Sequence, residues 1–440
     1  MAEDGPAASH GRAAPAPRAL KPAFRFLLVV LALVLLAALL VGWLLQPKQA
    51  GGLLLRQAGN ALGLQIEADS IDYRLRGTPQ LVLGGLVARQ PGAKMPLLSA
   101  DRMFVSLPWR TLRARGADLT LQRIELDAPV LDVPALQAWL ETRPKDTETR
   151  IPTLIDGLHV TDGRIDNDTW DIDGLDIEIA TLHPEQPLLT RVRGRYLDPP
   201  IRAPADLAIA VAHPRRALTG AITGIAGAGT VTLAEADWRV PMRLRLSGPL
   251  RLGKDSVVLR PAKLGIAARY ISRTSDLPFR LGLHGPMAFN NATWRFVPVS
   301  VVLDGEGAIP EAVARGSVSV GRQLRLHLDG KVARWPQAWP ALPSPLAEST
   351  TPLDFALDYR GALAFDDLAS LGVRRDATRF DARFRLPDVL DWTASANTGS
   401  PLPPLDGTLT TPRLDIAGAR LEGVQVELDD PAIPVVGGTR

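Results

Sequence analysis

The sequence contains no cysteine. This absence excludes disulfides, thiol catalysis and cysteine-ligated zinc, and it suits an oxidising compartment. Aromatic residues are also few, at 5%, and charged residues make up 22% of the 440 residues against 46% hydrophobic residues. That balance excludes a disordered polyelectrolyte. Only one very long apolar run occurs, which excludes a multi-span membrane protein. Most of the chain must therefore fold in water.

An excess of charge of one sign is missing as well. The 50 basic and 47 acidic residues give a net charge of +3, and the first 25 residues hold four of the bases and two of the acids. The rest of the chain is nearly neutral, and balanced charge supplies little net attraction for phosphate groups. We therefore do not expect nucleic acid to be a partner.

The single long apolar run extends from Phe26 to Leu45 without a charge. A helix of this length rises about 1.5 Å per residue and matches the roughly 30 Å hydrocarbon core of a bilayer. The run is longer than the apolar core of a signal peptide, and Lys48 occupies a position where cleavage after Ala50 would need a small residue. We therefore predict an uncleaved transmembrane anchor.

The charges that flank this run predict its orientation. Four basic residues precede it and only Lys48 and Arg56 follow it within twenty residues. Positive charge is retained on the cytoplasmic side of a membrane. The prediction is a single-pass protein of the bacterial inner membrane, with residues 1–25 as a cytoplasmic tail and residues 46–440 in the periplasm.

Beyond the anchor, apolar and polar residues alternate with a period of two, which predicts β-strands. In the stretch from Asp171 to Ile179, acidic residues interleave with isoleucines, and Gly174 shifts the phase as a bulge would. Each alternating segment has one apolar and one polar face, which is typical of antiparallel strands covered on one side. Asp-Gly pairs at 162–163, 304–305, 329–330 and 406–407 predict turns between strands.

Helical patterns are scarce. The best candidate extends from Val133 to Arg143, with Pro134 in the first turn and Leu136 and Trp139 on one stripe. A proline-rich stretch around residues 336–352 predicts a linker. The predicted organisation is a first periplasmic β region with a short helix at 46–145, a central region of repeated strands at 146–335, the linker, and a C-terminal β region at 353–440.

No pattern of catalytic or metal-ligating residues is found. The acidic cluster between Asp156 and Asp176 lacks the ligand order of a calcium loop, and no two of the six histidines have the spacing of a helical metal site. The glycines at 224, 227 and 229 lack the lysine of a phosphate-binding loop. We therefore expect a protein that is not an enzyme and that has no catalytic residue, metal or cofactor.

Three stretches resemble the AsmA family of Gram-negative envelope proteins, taken broadly to include TamB-like members. They are Gln65–Leu86, which resembles the family's opening strands, Pro96–Val133, which has its layout of strand, basic turn and proline-ended strand, and Leu405–Pro434, which is similar to its C-terminal strands. The likeness concerns layout and alternation and includes no invariant site.

The resemblance implies a mainly β fold, in which one transmembrane helix precedes an elongated antiparallel β-sheet curled into a hydrophobic groove, with few short helices. It implies a role in phospholipid transport between membranes or in outer-membrane biogenesis. The implied partners are phospholipid acyl chains, the inner membrane and other envelope proteins. A strand every roughly 12 residues would give roughly 30 strands. The residues predicted to line the groove lie on the apolar sides of alternating segments: Ile177, Ile179, Leu244, Leu246, Leu324, Leu326, Leu328, Phe355, Leu357 and Phe384.

Two other classes of protein fit the same sequence. One is a structural component of a secretion machinery, similar to the β-rich N protein of type II secretion, in which the alternating strands close into an ordinary β-sandwich. The other is an envelope hydrolase or carbohydrate binder whose motifs are too weak to recognise.

Overall fold

The computed structural model describes residues 59, 62–74, 76–114, 119–142, 151–253, 256–290, 293–339, 341–342, 344–363, 365–395, 402–416 and 419–433. The predicted anchor, Phe26–Leu45, and the predicted cytoplasmic tail lie outside these residues. Within the described ranges, no helix combines the length and the apolar character that crossing a bilayer requires.

The described chain is mainly β, as the alternation predicted. Its strands are β1 (Gln65–Glu67), β2 (Ser70–Arg74), β3 (Gln80–Arg89), β4 (Leu98–Ser106), β5 (Thr120–Leu121), β6 (Arg123–Asp127), β7 (Val130–Asp132), β8 (Thr153–Leu154), β9 (Leu158–Asp166), β10 (Asp171–Ile179), β11 (Leu188–Asp198), β12 (Ile201–Val211), β13 (Thr223–Ala234), β14 (Arg239–Gly253), β15 (Ser256–Ile271), β16 (Asp276–Asn290), β17 (Thr293–Gly305), β18 (Glu311–Val320), β19 (Leu324–Arg334), β20 (Leu353–Gly361), β21 (Ala369–Arg375), β22 (Thr378–Phe384), β23 (Leu405–Ile416) and β24 (Ala419–Leu428). The expected number of roughly 30 strands is too high for this part of the chain, because β14 to β17 are 13 to 16 residues long.

Four short α-helices lie wholly within the described ranges: α1 (Trp109–Arg113), α2 (Val133–Glu141), α3 (Pro214–Leu218) and α4 (Leu386–Ser395). A single 3-10 turn spans Leu346–Glu348 within the described residues. Helix α2 is the helix that the sequence predicted. The Asp132 carboxylate caps it by accepting a hydrogen bond from the Ala135 N–H at 2.7 Å. Trp139 lies on its buried side, and the indole N–H donates to the Leu62 carbonyl at 2.9 Å.

Twenty-two of the strands form one long curved sheet. From β9 to β24 each strand pairs antiparallel with the next along the chain. Strands β6 and β7 pair antiparallel with β4 and parallel with β9. Strands β1 and β2 both pair with β3, which also pairs with β4. The short strands β5 and β8 make a separate parallel pair.

The proline-rich segment that was predicted to be a linker connects β19 to β20. These two strands are hydrogen-bonded neighbours, in a register that runs from Leu324 opposite Gly361 to Val332 opposite Leu353. The sheet therefore continues without interruption past this segment. The central region (146–335) and the C-terminal region (353–440) predicted from the sequence are therefore parts of one sheet.

Buried apolar side chains form three clusters. The first joins β1 to β10 with α2 and includes Ile124 and Leu158, both at 0% exposure. The second lies on β12 to β19 and includes Leu259 and Phe289 at 1% exposure. The third is small and is built around Tyr359 on β20. All three clusters are contributed by the apolar side of the alternating strands, so the opposite side of the sheet is left to charged residues.

A line of β-bulges crosses five neighbouring strands, β14 to β18. The register shifts between Ser247 and Leu250, between Leu259 and Ala262, between His284 and Met287, and between Phe296 and Val299. We call this the bulge line. Proline and glycine occupy it, at Gly248-Pro249, Pro261, Gly285-Pro286 and Pro298. Prolines in a sheet are tolerated at bulges, and bulges bend the strands that contain them.

Burial differs across the bulge line. On the side that contains Leu250, Leu259 and Met287, these side chains are between 1% and 4% exposed. On the other side burial is mixed: Leu283 and Val301 are 9% and 7% exposed, whereas Leu244 and Ile266, one row further from the line, are half-buried. The buried core of these long strands therefore continues past the bend and becomes more open one row beyond it.

Candidate functional site

An apolar row crosses eighteen strands of the sheet, each residue directly opposite the next. At about 4.8 Å per strand the row is about 80 Å long when measured along a flattened sheet. Only Thr190, Gly227 and Gly330 in it lack an apolar side chain. The row contains Val105, Ile124, Leu158, Ile179, Thr190, Ile209, Gly227, Leu246, Leu264, Leu283, Val301, Ala314, Gly330, Phe355, Val373, Phe380, Leu409 and Val426.

A second row lies beside the first on the same face and crosses sixteen strands, from β2 to β20. We call the two rows together the apolar lane. The second row contains Ile71, Leu83, Met103, Leu126, Val160, Ile177, Val192, Leu207, Gly229, Leu244, Ile266, Leu281, Leu303, Ala312, Val332 and Leu353. Strand register thus aligns residues that are far apart in the sequence into one apolar strip, in which β13 contributes only the glycines Gly227 and Gly229.

The exposure of the lane changes along its length. On β4 to β10 its side chains are sealed in the first cluster; Ile177 is 2% exposed there. From Val192 on β11 to Leu303 on β17, every residue of the second row is half-buried. An apolar strip that keeps contact with solvent over seven strands is larger than scattered surface hydrophobic residues, which makes it the candidate binding surface of the described chain.

Helix α4 shows how strongly the sheet curls. It follows β22, yet the Thr274 hydroxyl in the turn between β15 and β16 donates to the Asp391 carboxylate of α4 at 2.8 Å. In a flat sheet, β16 and β22 would lie about 29 Å apart at about 4.8 Å per strand. The contact therefore requires the ladder to curve back on itself. Helix α4 thus bridges the strand that precedes it, β22, and the turn between β15 and β16.

The structure divides the residues predicted to line a groove into two groups. Ile177 and Ile179 are 2% and 1% exposed and are packed inside the first cluster, and Leu324 and Leu328 are also buried, at 7% and 9%. The remaining six share the half-buried part of the same apolar face: Leu244, Leu246, Leu326, Phe355, Leu357 and Phe384. The face predicted from alternation is thus continuous, but only part of it is accessible.

The opposite face of the sheet is polar, and charged pairs cross from strand to strand. Arg191 on β11 binds Asp206 on β12 through two hydrogen bonds of 2.9 and 2.7 Å, and Arg195 binds Asp173 at 2.7 Å. The hydrogen bond from Arg191 is the main cause of a lowered pKa of Asp206. These pairs are partly exposed to water, so each adds little to stability. Together they make this face of the sheet polar and hydrated.

A depression of about 970 Å³ lies on β19 to β23. Ala356 and Gly372 form part of its floor, and charged residues of the polar face surround them. Arg383 is paired with Asp406, and Arg379 with Asp381. Its cations are thus largely neutralised by neighbouring carboxylates. Among the described residues, no group of three or more histidine, aspartate or glutamate side chains is arranged to hold a metal ion.

Sequence reasoning missed two features that shape the site, the bulge line and helix α4. Prolines 249, 261, 286 and 298 in the middle of alternating segments were a usable signal, because proline within a sheet marks a bulge or an edge. For α4, Pro387 and Asp388 at the start of the segment were the signal, since both residues favour the first turn of a helix.

Comparisons of the chain with protein-family models, with curated proteins and with solved structures found no match.

Proposed function

We propose that this chain is an inner-membrane-anchored periplasmic protein whose apolar lane carries phospholipid acyl chains, as part of lipid transport between membranes or outer-membrane biogenesis. The observation that carries the proposal is the continuity of the lane. The first row extends from β4 to β24 with apolar side chains at all but three positions, and the second row beside it is half-buried from β11 to β17, so the two rows together provide a long surface for a flexible hydrocarbon chain.

The physical basis is the transfer of methylene groups out of water. Each buried methylene contributes about 0.8 kcal/mol, so an acyl chain along the half-buried stretch gains several kcal/mol from a few contacts. The side chains of the lane gain as well, because they lose contact with water. Gly227, whose Cβ position has no neighbour nearer than the Ala208 carbonyl oxygen at 3.9 Å, leaves room for a chain at β13.

A closed β-sandwich, as expected for a secretion component, needs a second layer that seals the apolar face. The first cluster has this character on β1 to β10, where α2 packs against the sheet. Leu283 and Val301 on the first row belong to the second cluster, whereas Leu244 and Ile266 on the second row are half-buried and lie outside the three clusters. The half-buried second row favours a groove that is open along that row over a fully closed sandwich.

The test compares aspartate substitutions at two apolar positions of the same sheet. The full chain is purified in mild detergent, and phospholipid is extracted and measured per chain. Leu244→Asp should remain protease-resistant and lose bound phospholipid, because the carboxylate stays in water. Phe289→Asp should become protease-sensitive, because an unpaired carboxylate in a site that is 1% exposed costs several kcal/mol. If wild type contains no phospholipid, or if Leu244→Asp unfolds as Phe289→Asp does, the sandwich is the better model.

The proposed location has its own test, which does not depend on lipid. A C-terminal alkaline phosphatase fusion should be active, since residues 46–440 are proposed to be periplasmic. An inactive fusion, together with an active cytoplasmic reporter at the same position, would reverse the topology.

A further inference from the structure

The polar face contains one region where positive charge is not balanced. Strands β13, β14 and β15 contain seven basic residues and no acidic residue. Elsewhere on this face, several arginines pair with carboxylates on the next strand, as Arg191 does with Asp206 and Arg195 with Asp173. The near neutrality of the whole chain hides this local excess.

Four exposed side chains form what we call the basic face: Arg243 and Arg245 on β14, and Arg260 and Lys263 on β15. Within the described ranges, no ion pair joins any of them to a carboxylate. Arg269, at the other end of β15, is different, because it pairs with Asp276 at 3.0 Å. The four cations of the basic face are therefore available to an external anion.

The surroundings of the basic face keep these cations accessible. Arg245 lies between Ala228 on β13 and Gly265 on β15, and Arg243 lies between Thr230 and Ala267. A Cβ placed on Gly265 would meet no atom within 4 Å, so the surface there is open. Long cationic side chains thus stand above a floor of small residues, and nothing on the neighbouring strands covers them.

We propose that the basic face docks on the headgroups of an anionic phospholipid bilayer. Arg243 and Arg245 are two residues apart on the same side of one strand, about 7 Å. Lys263 lies opposite Ser247 on the adjacent strand, so it is a diagonal neighbour of Arg245 at about 7–8 Å. A two-dimensional array of cations suits a planar surface of headgroups. Single-stranded nucleic acid would need aromatic side chains on which bases stack. The residues that flank Arg243 and Arg245 on β13 and β15 are alanine, glycine and threonine.

This docking adds a second membrane contact to the proposed function and does not depend on lipid in the lane. The apolar lane and the basic face lie on opposite sides of the same strands. Leu244 and Leu246 belong to one, and Arg243 and Arg245 to the other. The long middle strands would therefore lie against a bilayer through their basic face while the lane remains free.

The experiment measures capture of lipid vesicles by the full chain. The chain is held in a neutral phosphatidylcholine nanodisc, which shields the predicted anchor, and is immobilised by a C-terminal tag. Vesicles of equimolar phosphatidylcholine and phosphatidylglycerol should be captured, vesicles of phosphatidylcholine alone should not, and capture should weaken as salt is raised. At about 1 kcal/mol for each basic residue near the surface, the triple variant Arg243→Ser, Arg245→Ser, Lys263→Ser should bind about 100-fold more weakly.

The control removes the same charge from another part of the polar face. The triple variant Arg325→Ser, Arg360→Ser, Arg374→Ser changes three exposed bases on β19 to β21 and should bind as wild type does. Arg243→Lys with Arg245→Lys should also bind, because the interaction depends on charge. The proposal would be overturned if neutral vesicles were captured as well as anionic ones, or if both triple variants lost capture equally. It would also be overturned if the basic-face variant lost binding of a single-stranded oligonucleotide but captured anionic vesicles as wild type does.

Discussion

The hydroxyl of Thr274 donates a hydrogen bond to the carboxylate of Asp391 at 2.8 Å across 117 residues of sequence. Thr274 lies in the turn between β15 and β16, and Asp391 lies on α4, which follows β22. The contact joins two parts of the sheet that pairing alone would keep apart. It is therefore the most direct sign that the sheet curls far enough for one helix to contact a turn that lies six strands away in the pairing order.

A crosslink can test this contact, because the chain has no native cysteine to interfere. Thr274→Cys combined with Asp391→Cys should react with a short bismaleimide to give an internally linked chain, seen as a faster band on denaturing gels. The control pair is Thr274→Cys with Asp381→Cys, which lies on the polar face of β22, the strand before α4. Linking of the control pair only, or of neither pair, would contradict the curled sheet.

The bulge line should be sensitive to the size of its glycines. A Cβ at Gly285 would lie 2.2 Å from the Pro298 carbonyl oxygen. Gly285→Ala must therefore displace the neighbouring strand and should lower the free energy of unfolding by about 1–3 kcal/mol. Gly265→Ala is the control, since the Cβ there meets no atom within 4 Å, and it should change the value by less than about 0.5 kcal/mol. Urea unfolding of both variants measures the difference. Equal free energies of unfolding would show that the close approach at Gly285 in the bulge line is not needed for stability.

A plug in the lane should separate folding from lipid binding. Gly227→Trp places a large side chain on the apolar face of β13, where the nearest atom to the Cβ position is 3.9 Å away. Ala226→Trp places the same side chain on the polar face one residue earlier. Both variants should fold, and only Gly227→Trp should contain less phospholipid per chain after extraction. Normal lipid content in Gly227→Trp would show that β13 does not line the path.

One ion pair on the polar face should respond to pH. His327 Nδ1 lies 2.6 Å from the Asp358 carboxylate, and this hydrogen bond is the main cause of a pKa of His327 above its usual value of 6.5. A raised pKa means that the pair stabilises the fold fully below pH 6.5 and that this contribution is lost as the pH rises through the pKa of His327.

Histidine NMR titration measures this effect. Asp358→Asn should lower the pKa of His327. Asp354→Asn removes the carboxylate that pairs with Lys331 and should leave the pKa of His327 as it is in the wild type. An unchanged pKa of His327 in Asp358→Asn would show that the pair does not form in solution.

The alternation of residue types predicted the faces of the strands well, because each strand position is decided by local sequence. The bulge at Gly174 was also predicted, and the register does shift between Asp173 and Asp176. The alignment of residues into the apolar lane was not predicted. It depends on the register of every hairpin in turn, and period-2 patterning does not determine register.

Turn prediction from Asp-Gly pairs was wrong at three sites, because Asp162-Gly163, Asp329-Gly330 and Asp406-Gly407 lie within β9, β19 and β23. Asp329-Gly330 lies inside β19, where the missing Cβ of Gly330 lets the Val313 carbonyl oxygen come within 2.2 Å of the Cβ position. Asp162-Gly163 lies inside β9, where Asp162 has a φ of 54° and its N–H donates to the Asp176 carboxylate at 3.0 Å. Here Asp-Gly marks irregular pairing and close approach between strands, which a sequence pattern does not distinguish from a hairpin turn.

The total charge of the chain did not reveal the local excess of basic residues on β13 to β15. Balanced totals excluded a strongly basic protein, but they gave no indication that β13 to β15 contain no acidic residue. A count over each predicted strand would have found the basic face. Segment-by-segment charge is therefore the more informative quantity for a long, repetitive sheet.

The proposed lipid path is tested most directly by a photocrosslinking amino acid on the apolar face. Ile266 and Phe380 belong to the two rows of the lane and are half-buried, and Asp381 is the neighbour of Phe380 on the polar face. In cells, crosslinkers at Ile266 and Phe380 should label phospholipid, and one at Asp381 should not. Labelling at Ile266 and Phe380 of nothing but other segments of this chain would contradict the account, because the apolar face would then be a sealed protein core.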